Sequence, residues 1–328
     1  MAGPIIQASL SGALKPRIIA EFNRSYDQRF RARSPIVGKS FLEVKSTLRE
    51  ETHGGFQSVP IPTRWVRGEP RSHTALSEFY TTVTNYSYGV WIGWHEEDEE
   101  DDQTEKLVAR TQDSAVRFSQ LDERIMIQLI TAATDPKLLP SIPNAYDGSA
   151  LFLGTTRFGV STGNIFTGAG VGTPTAIRND FLAAIGSNFA QFQDTESQPY
   201  WTPEDLDYGN FAIIFNAAHI QVFNDAFLST MLPANPLGSA PFDNSWLNKR
   251  APMLFPTQRI TGDDWYVLLI GSSGPKPFVK QIRRDVRQML QDVNNSDEAR
   301  DTKEKGVGFD GRFGYSIWEP RCAVKVDN

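Results

Sequence analysis

Four histidines, one cysteine and a run of carboxylates are the residues of this chain whose chemistry has to be asked about first. His53, His73, His95 and His219 are scattered, with no pair four residues apart, so the spacing that puts two imidazoles on one helical face for zinc is absent. His219, in an apolar helical segment, reads as a core residue satisfied within the fold. Cys322 stands beside Arg321 with no histidine near it in sequence, and reads as a small packing residue rather than a nucleophile. Two glycine fragments imitate phosphate sites. Gly38-Lys39-Ser40 matches the end of a phosphate loop, but the position five before Gly38 is Arg33 and no buried strand precedes it. Gly168, Gly170 and Gly172 make GxGxG instead of GxGxxG and lack the preceding strand of a dinucleotide fold, so they read as a flexible connector. No Gly-x-Ser-x-Gly elbow occurs, and Asp263 and Asp264 read as turn chemistry ahead of a strand. No reaction is specified; no catalytic residue, cofactor or metal ligand is expected.

The charge is unevenly spread. Residues 1–94 hold 12 Lys+Arg against 7 Asp+Glu, whereas the next eleven, His95 to Glu105, carry eight carboxylates. One reading is the solvated start of a helix. Another is a surface on which the basic arms of neighbouring copies settle, weakening with salt. A third, a metal site with His95, is disfavoured because contiguous carboxylates point all round a helix and do not converge.

What must position these residues is a set of elements dominated by one segment. His95 to Asp135 runs 41 residues without Gly or Pro, in a chain holding 25 Gly and 20 Pro. Leu107, Thr111, Ala115, Phe118, Leu121, Ile125 and Leu129 recur every three or four residues, one face of a helix. The acidic start suits the helix dipole and Pro136 stops it, so a single helix from Asp101 to Thr134 is predicted, about 50 Å long at ~1.5 Å per residue. Ahead of it, Ala13–Arg33 reads as a partly helical arm (Ile18, Ile19, Phe22, Tyr26, Phe30). Phe56–Arg67 and Phe79–Trp94 read as two strands of a ribbon, the first confined to looser pairing by Pro60 and Pro62. In the second, Tyr80, Thr82, Thr84, Tyr86, Tyr88, Val90 and Ile92 share one side. A lone two-stranded ribbon is marginal in water. A neighbouring molecule or a distant part of the chain must cover it.

Beyond Pro136 the chain turns to mixed elements. Residues 174–193 predict a helix capped by Thr173, with Pro174 at its first position. Phe211–Phe215 predicts a buried strand, Ala217–Leu228 a helix and Asp264–Ile270 an apolar strand, which together read as an α/β lobe. Phe278–Val293 fits a helix or a strand. Asn294–Gly306 reads as polar and mobile, and Phe309–Val326 ends in a strand.

Composition bounds the function. At 328 residues the chain exceeds the size at which single cores stop growing, so two lobes or one domain with large extensions are expected. No 18-residue apolar run exists to span a membrane, and the N-terminus lacks a secretory pattern. A single cysteine rules out an internal disulfide and fits a reducing compartment at synthesis. A net charge of −6 argues against a dedicated nucleic-acid binder.

The order of elements resembles that of the major capsid proteins of tailed bacteriophages, the Hong Kong 97-type fold, and is most similar to the major head subunit of Mu-like phages. Three places carry the likeness. Val90 to Asp102, running into Val108–Ala115, is similar to the family's strand leading into a paired-aspartate step and a spine helix. Tyr146-Asp147-Gly148 with Phe152 is similar to its turn after the spine, although the family's following histidine is replaced here by Thr155, Thr156 and Arg157. Pro277–Arg283, then Gly311–Tyr315 and Trp318, is similar to its C-terminal part. On this resemblance Phe278–Arg287 is taken as a strand against its helical period.

The resemblance implies an α+β chain with an arm (1–37), an extended loop (38–94), a peripheral domain with the spine (95–173), an axial domain (174–275) and return strands (276–328). It implies a shell protein without enzymatic activity or cofactor, assembled in the host cytoplasm into hexamers and pentamers of a virion. The implied partners are further copies, a separate scaffolding protein, a portal, a cement protein, and packaged DNA through weak contacts, with no membrane. A separate scaffold is expected because no long coiled coil precedes the arm. No motif places a Lys–Asn cross-link; Lys39 and Lys45 lie in the loop. Arg64, Trp65, Arg67, Arg71, Tyr86, Tyr88, Arg29 and Arg31 are the interface candidates, since aromatics and arginine are enriched at such contacts. The alternatives are an encapsulin-like compartment of the same fold and an α/β enzyme with dispersed site residues.

Overall fold

The computed structural model describes residues 18–28, 34–58, 77–95, 106–232, 242–271, 274–291 and 304–328. The interface candidates Arg29, Arg31, Arg64, Trp65, Arg67 and Arg71 lie outside the described residues, as do Glu96–Glu105 and most of the polar stretch expected to be mobile.

The spine is two helices, not one. Helix α3 (Lys106–Ser119) is followed by α4 (Leu121–Thr131), with Gln120 between them at ψ 3°. The backbone ladder runs through this joint: Gln120 N–H donates to Val116 O (3.2 Å) and Arg124 N–H to Gln120 O (3.0 Å). The helix also ends before the prolyl stop, because Ala132 takes the left-handed conformation (φ 53°) that terminates helices. Among the described residues two short helices precede the spine: α1, residues 18–28, and α2 (Pro35–Ser40).

The ribbon differs more. Strand β2 is Glu50–Ser58, starting six residues before the predicted Phe56, and it pairs antiparallel with β3 (Ser77–Thr84). Its polar and glycine-rich sequence hides it from strand propensity; the apolar side chains come from β3. Gly55 and Gly54 face Phe79 and Tyr80 across the ladder, and a Cβ on Gly55 would meet the Phe79 ring at 2.5 Å. The second predicted strand breaks at Asn85. Up to that point the odd residues Phe79, Thr81, Val83 and Asn85 are buried; beyond it, in β4 (Tyr86–His95), Tyr88, Ile92 and Trp94 are. One alternating sequence thus serves two sheets, switching its inward side where it leaves the ribbon.

Strand β4 joins a four-stranded sheet with β1 (Phe41–Lys45), β11 (Phe278–Gln291) and β12 (Glu304–Ile317), in the order β1-β11-β12-β4. Phe278–Gln291 is therefore a strand. A second sheet has the order β5-β13-β10-β6-β9: Ile165–Thr167, Ala323–Asp327, Trp265–Leu269, Phe211–Asn216 and Met253–Thr257. The two-residue strands β7 (Met231–Leu232) and β8 (Phe242–Asp243) form a separate pair.

The second sheet is covered on both faces, which is why its central strands read as continuous apolar runs. Phe211, Ile213, Phe215, Trp265, Val267 and Leu269 pack with helices α5 (Pro174–Ser187) and α6 (Ile220–Leu228). The alternate residues Ala212, Ile214, Tyr266 and Leu268 share a core with Ile125, Met126, Leu129 and Ile130 of the spine. Thr173 Oγ1 accepts from Ala176 N–H, capping α5 as expected. Helix α7 (Ser245–Asn248) closes this lobe.

Candidate assembly surface

The residues whose chemistry was asked about first are used within the chain. Cys322 is fully buried, burial pushes its thiol well above the ordinary value, and it donates to Pro275 O at 3.3 Å. His219 is not a core residue: it is partly exposed, 3.0 Å from Asp263. Gly38-Lys39-Ser40 ends the short helix α2. The fragment Gly168–Gly172 does follow a strand, β5, contrary to expectation. Its amides are already engaged, however: Gly168 N–H donates to Asp327 O, Ala169 N–H to Asp180 Oδ2 and Gly170 N–H to Asn328 Oδ1. It is a connector tied at Gly168, Ala169 and Gly170. Among the described residues no three His, Cys, Asp or Glu side chains gather as a metal site, and no helix is long and apolar enough to cross a membrane.

Three junctions govern what the surface presents. The first holds the ribbon's base. Asn85 donates from Nδ2 to Ser46 Oγ (2.9 Å) and Leu48 O (2.8 Å), and Gln281 Nε2 donates to the same Ser46 oxygen. His53 Nε2 lies 2.7 Å from Gln281 Oε1. Residues far apart in sequence therefore hold the switch point, and no local spacing could have announced them. The ribbon's inner half is covered by its own chain: Phe79 stacks on Tyr146 (centroids 4.2 Å) and meets Trp318 edge-on.

The second junction lies where β12 passes to β13. Arg321 donates from Nε and Nη2 to Glu319 (both 2.9 Å), from Nη2 to Tyr146 Oη (3.0 Å), and lies over the Tyr200 ring. Tyr200 donates to Glu319 Oε2 at 3.2 Å. Burial, then the Glu319 charge, pushes both phenols far above their ordinary value. The turn residue Asp147 is gripped at both oxygens by Arg157, which secures the turn.

The third is the outer half of the four-stranded sheet. On one face Ile18 and Phe22 of α1 pack with Ala115, Ile92, Trp94, Val307 and Phe309; Phe22 stacks on Phe309 with centroids 3.4 Å apart. On the other, Trp91 lies along Gly306 and Gly308, where an added Cβ would meet its ring at 2.3 and 2.7 Å. Trp91 is 48% exposed and Met289 beside it 41%.

Tyr88, expected at an interface, is a core residue instead: its hydroxyl donates to Leu138 O (2.8 Å), and its ring packs with Phe313 and Tyr315. Tyr86 is half-buried against the same core. The inward switch at Asn85 is the reason, and it turns Trp91 outward in their place. On the second lobe Ile220, Leu228, Met231 and Trp246 are exposed.

No family model and no curated protein matches the chain. Solved structures do. The capsid of an empty GTA particle aligns with a TM-score of 0.54 at 10% identity, over 89% of this chain and 89% of that one. The mature capsid of bacteriophage PhiM1 aligns at 0.52 and 11%, over 89% and 86%. A chain of Microbacterium phage Oxtober96 aligns at 0.51 and 12%, over 88% and 90%. At such identities the likeness establishes the fold: an α+β chain of the Hong Kong 97 type.

Proposed function

We propose that this chain is the major capsid subunit of a tailed bacteriophage, assembling with copies of itself into an icosahedral shell around double-stranded DNA. The observation that carries the reading is a fold shared with capsid chains over nearly the whole length of both partners. In this reading residues 1–37 are the arm, 38–94 the extended loop, 95–173 and 276–328 the peripheral domain, and 174–275 the axial domain around fivefold and sixfold positions. The chain acts by mutual burial, without catalysis. Exposed Trp91, Met289, Leu228, Met231 and Trp246 are the apolar area that one copy leaves open. The candidates Arg64, Trp65, Arg67, Arg71, Tyr86, Arg29 and Arg31 join them at subunit contacts.

A Mu-like head subunit is the finer assignment, supported by the three sequence similarities. Scaffolding protein, portal and cement protein are the further partners, and assembly takes place in the host cytoplasm. The net charge of −6 suits an interior through which DNA slides without sticking. Expression with a scaffolding partner, followed by electron microscopy and assay of nucleic-acid content, tests the reading. Closed polyhedral particles able to hold DNA support it. Particles that instead enclose protein cargo would favour the compartment alternative.

A further inference from the structure

Strand β12 divides its side chains between the two faces of the four-stranded sheet. Phe309 and Phe313 point to the arm and spine helices, into cores shared with Phe22 and Ile125. Asp310 and Arg312 alternate with them and lie on the opposite face. Register sets Arg312 directly across from Arg284 on β11, and Asp310 across from Arg287. Two cations placed opposite each other on one face repel, at a cost to stability that an anion between them would relieve. Asp310 answers part of that charge, accepting from Arg284 Nη2 and, at 3.0 Å, from Arg287 Nε. Three guanidiniums thus meet one carboxylate. The Nε atoms of Arg284 and Arg312 are buried without a hydrogen-bond partner among the described residues, so neither group has its full set of acceptors. Arg284 and Arg287 still reach the surface, with side chains 37% and 54% exposed. On the other flank, β4 sets Ser87 across from Arg312 and Gly89 across from Asp310, both exposed. Residues that small leave room above the arginines, and Ser87 adds a hydroxyl donor.

We propose that Arg284, Arg287 and Arg312, with the Ser87 hydroxyl, form a binding site for a phosphate group. A tetrahedral phosphate accepts from several planar guanidinium forks at once, and its oxygens take charge-assisted hydrogen bonds from each. The surplus of cation over carboxylate suits a multiply charged phosphate better than a single carboxylate. Such a group has two sources, free polyphosphate and the phosphodiester backbone of nucleic acid. All four residues belong to one copy, so the site stands or falls independently of the shell reading.

Thermal unfolding of the full chain in sodium tripolyphosphate, against sodium chloride of equal ionic strength, tests this. Tripolyphosphate is expected to raise the midpoint. Arg312→Gln is expected to weaken the apparent affinity on the order of tenfold without lowering the midpoint in chloride, since it also removes a like-charged pair. Ser87→Asp, which sets a carboxylate opposite Arg312, is expected to abolish the response, and it decides the matter if Arg312→Gln does not fold. A duplex oligonucleotide that competes with tripolyphosphate at equal phosphate concentration supports the site and makes nucleic acid a source. A duplex that does not compete supports the site and restricts it to free phosphate. No rise over chloride, or an equal rise in the wild type and both variants, would overturn the proposal. Poly-L-glutamate binding more tightly than tripolyphosphate would assign the face to an acidic protein segment and overturn it as well.

Discussion

Arg321 lies over the ring of Tyr200, its guanidinium carbon 3.5 Å from the ring centroid, while its nitrogens hold Glu319. The side chains of Arg321 and Glu319 are 2% and 1% exposed, so the pair is wholly withdrawn from water. It stands at the only point where the described chain passes directly from the four-stranded sheet to the five-stranded one, between β12 and β13. Tyr146 joins the pair to the ribbon through Phe79. A stiff joint here fixes how the lobes and the ribbon meet.

Breaking that pair from one side leaves a buried charge uncompensated. Glu319→Gln or Arg321→Met is expected to destabilise the chain by about 3–5 kcal/mol, with the double variant recovering part of the loss. Urea denaturation of the two single variants and the double checks both statements.

The ribbon depends on glycine where aromatics cross it. Gly55→Ala puts a methyl within 2.5 Å of the Phe79 ring and must displace that ring from Tyr146 and Trp318. A loss of about 1–3 kcal/mol is expected. Limited proteolysis should then cut the 50–84 region faster than in the wild type.

Much of the second lobe was legible because its elements are local. The Thr173-Pro174 start of α5, the strand at Phe211 and the strand at Trp265 all carry their own signals. The ribbon was misread at its base, where Glu50 pairs with Thr84 next to Asn85. The polar strand β2 is held by its partner's side chains, and the switch at Asn85 is made by Ser46 and Gln281, which no window around residue 85 contains. Gln120 has no breaker type, so the joint in the spine left no mark either. Tyr88 fell with Asn85, since a change of inward side exchanges every core residue for a surface one. Of the interface candidates only Tyr86 and Tyr88 fall on described residues, and Tyr88 is buried.

The arm helix is held by one ring more than any other. Phe22→Ala removes the stack on Phe309 and the edge contact with Phe118, and is expected to cost about 3–5 kcal/mol locally, releasing residues 18–28. Amide exchange in that segment should rise while the five-stranded sheet stays protected.

Acid should loosen the turn that feeds the ribbon. Glu51 accepts the amides of Thr47 (2.7 Å) and Leu48 (2.9 Å), and these hold its carboxyl below the ordinary value of 4.5. A depressed pKa contributes stability that is present above 4.5 and lost as pH falls through the lower folded value. The Thr47 and Leu48 amides are therefore expected to lose protection on acidification below 4.5, and Glu51→Gln to show the loss already at neutral pH.

The central claim is that one copy leaves surface that only further copies cover. Sedimentation velocity of the purified chain across a range of concentrations and salt tests it most directly. The account predicts species of five or six copies, or closed shells, at rising concentration. A single 36.7 kDa species throughout, with and without a scaffolding partner, would contradict it.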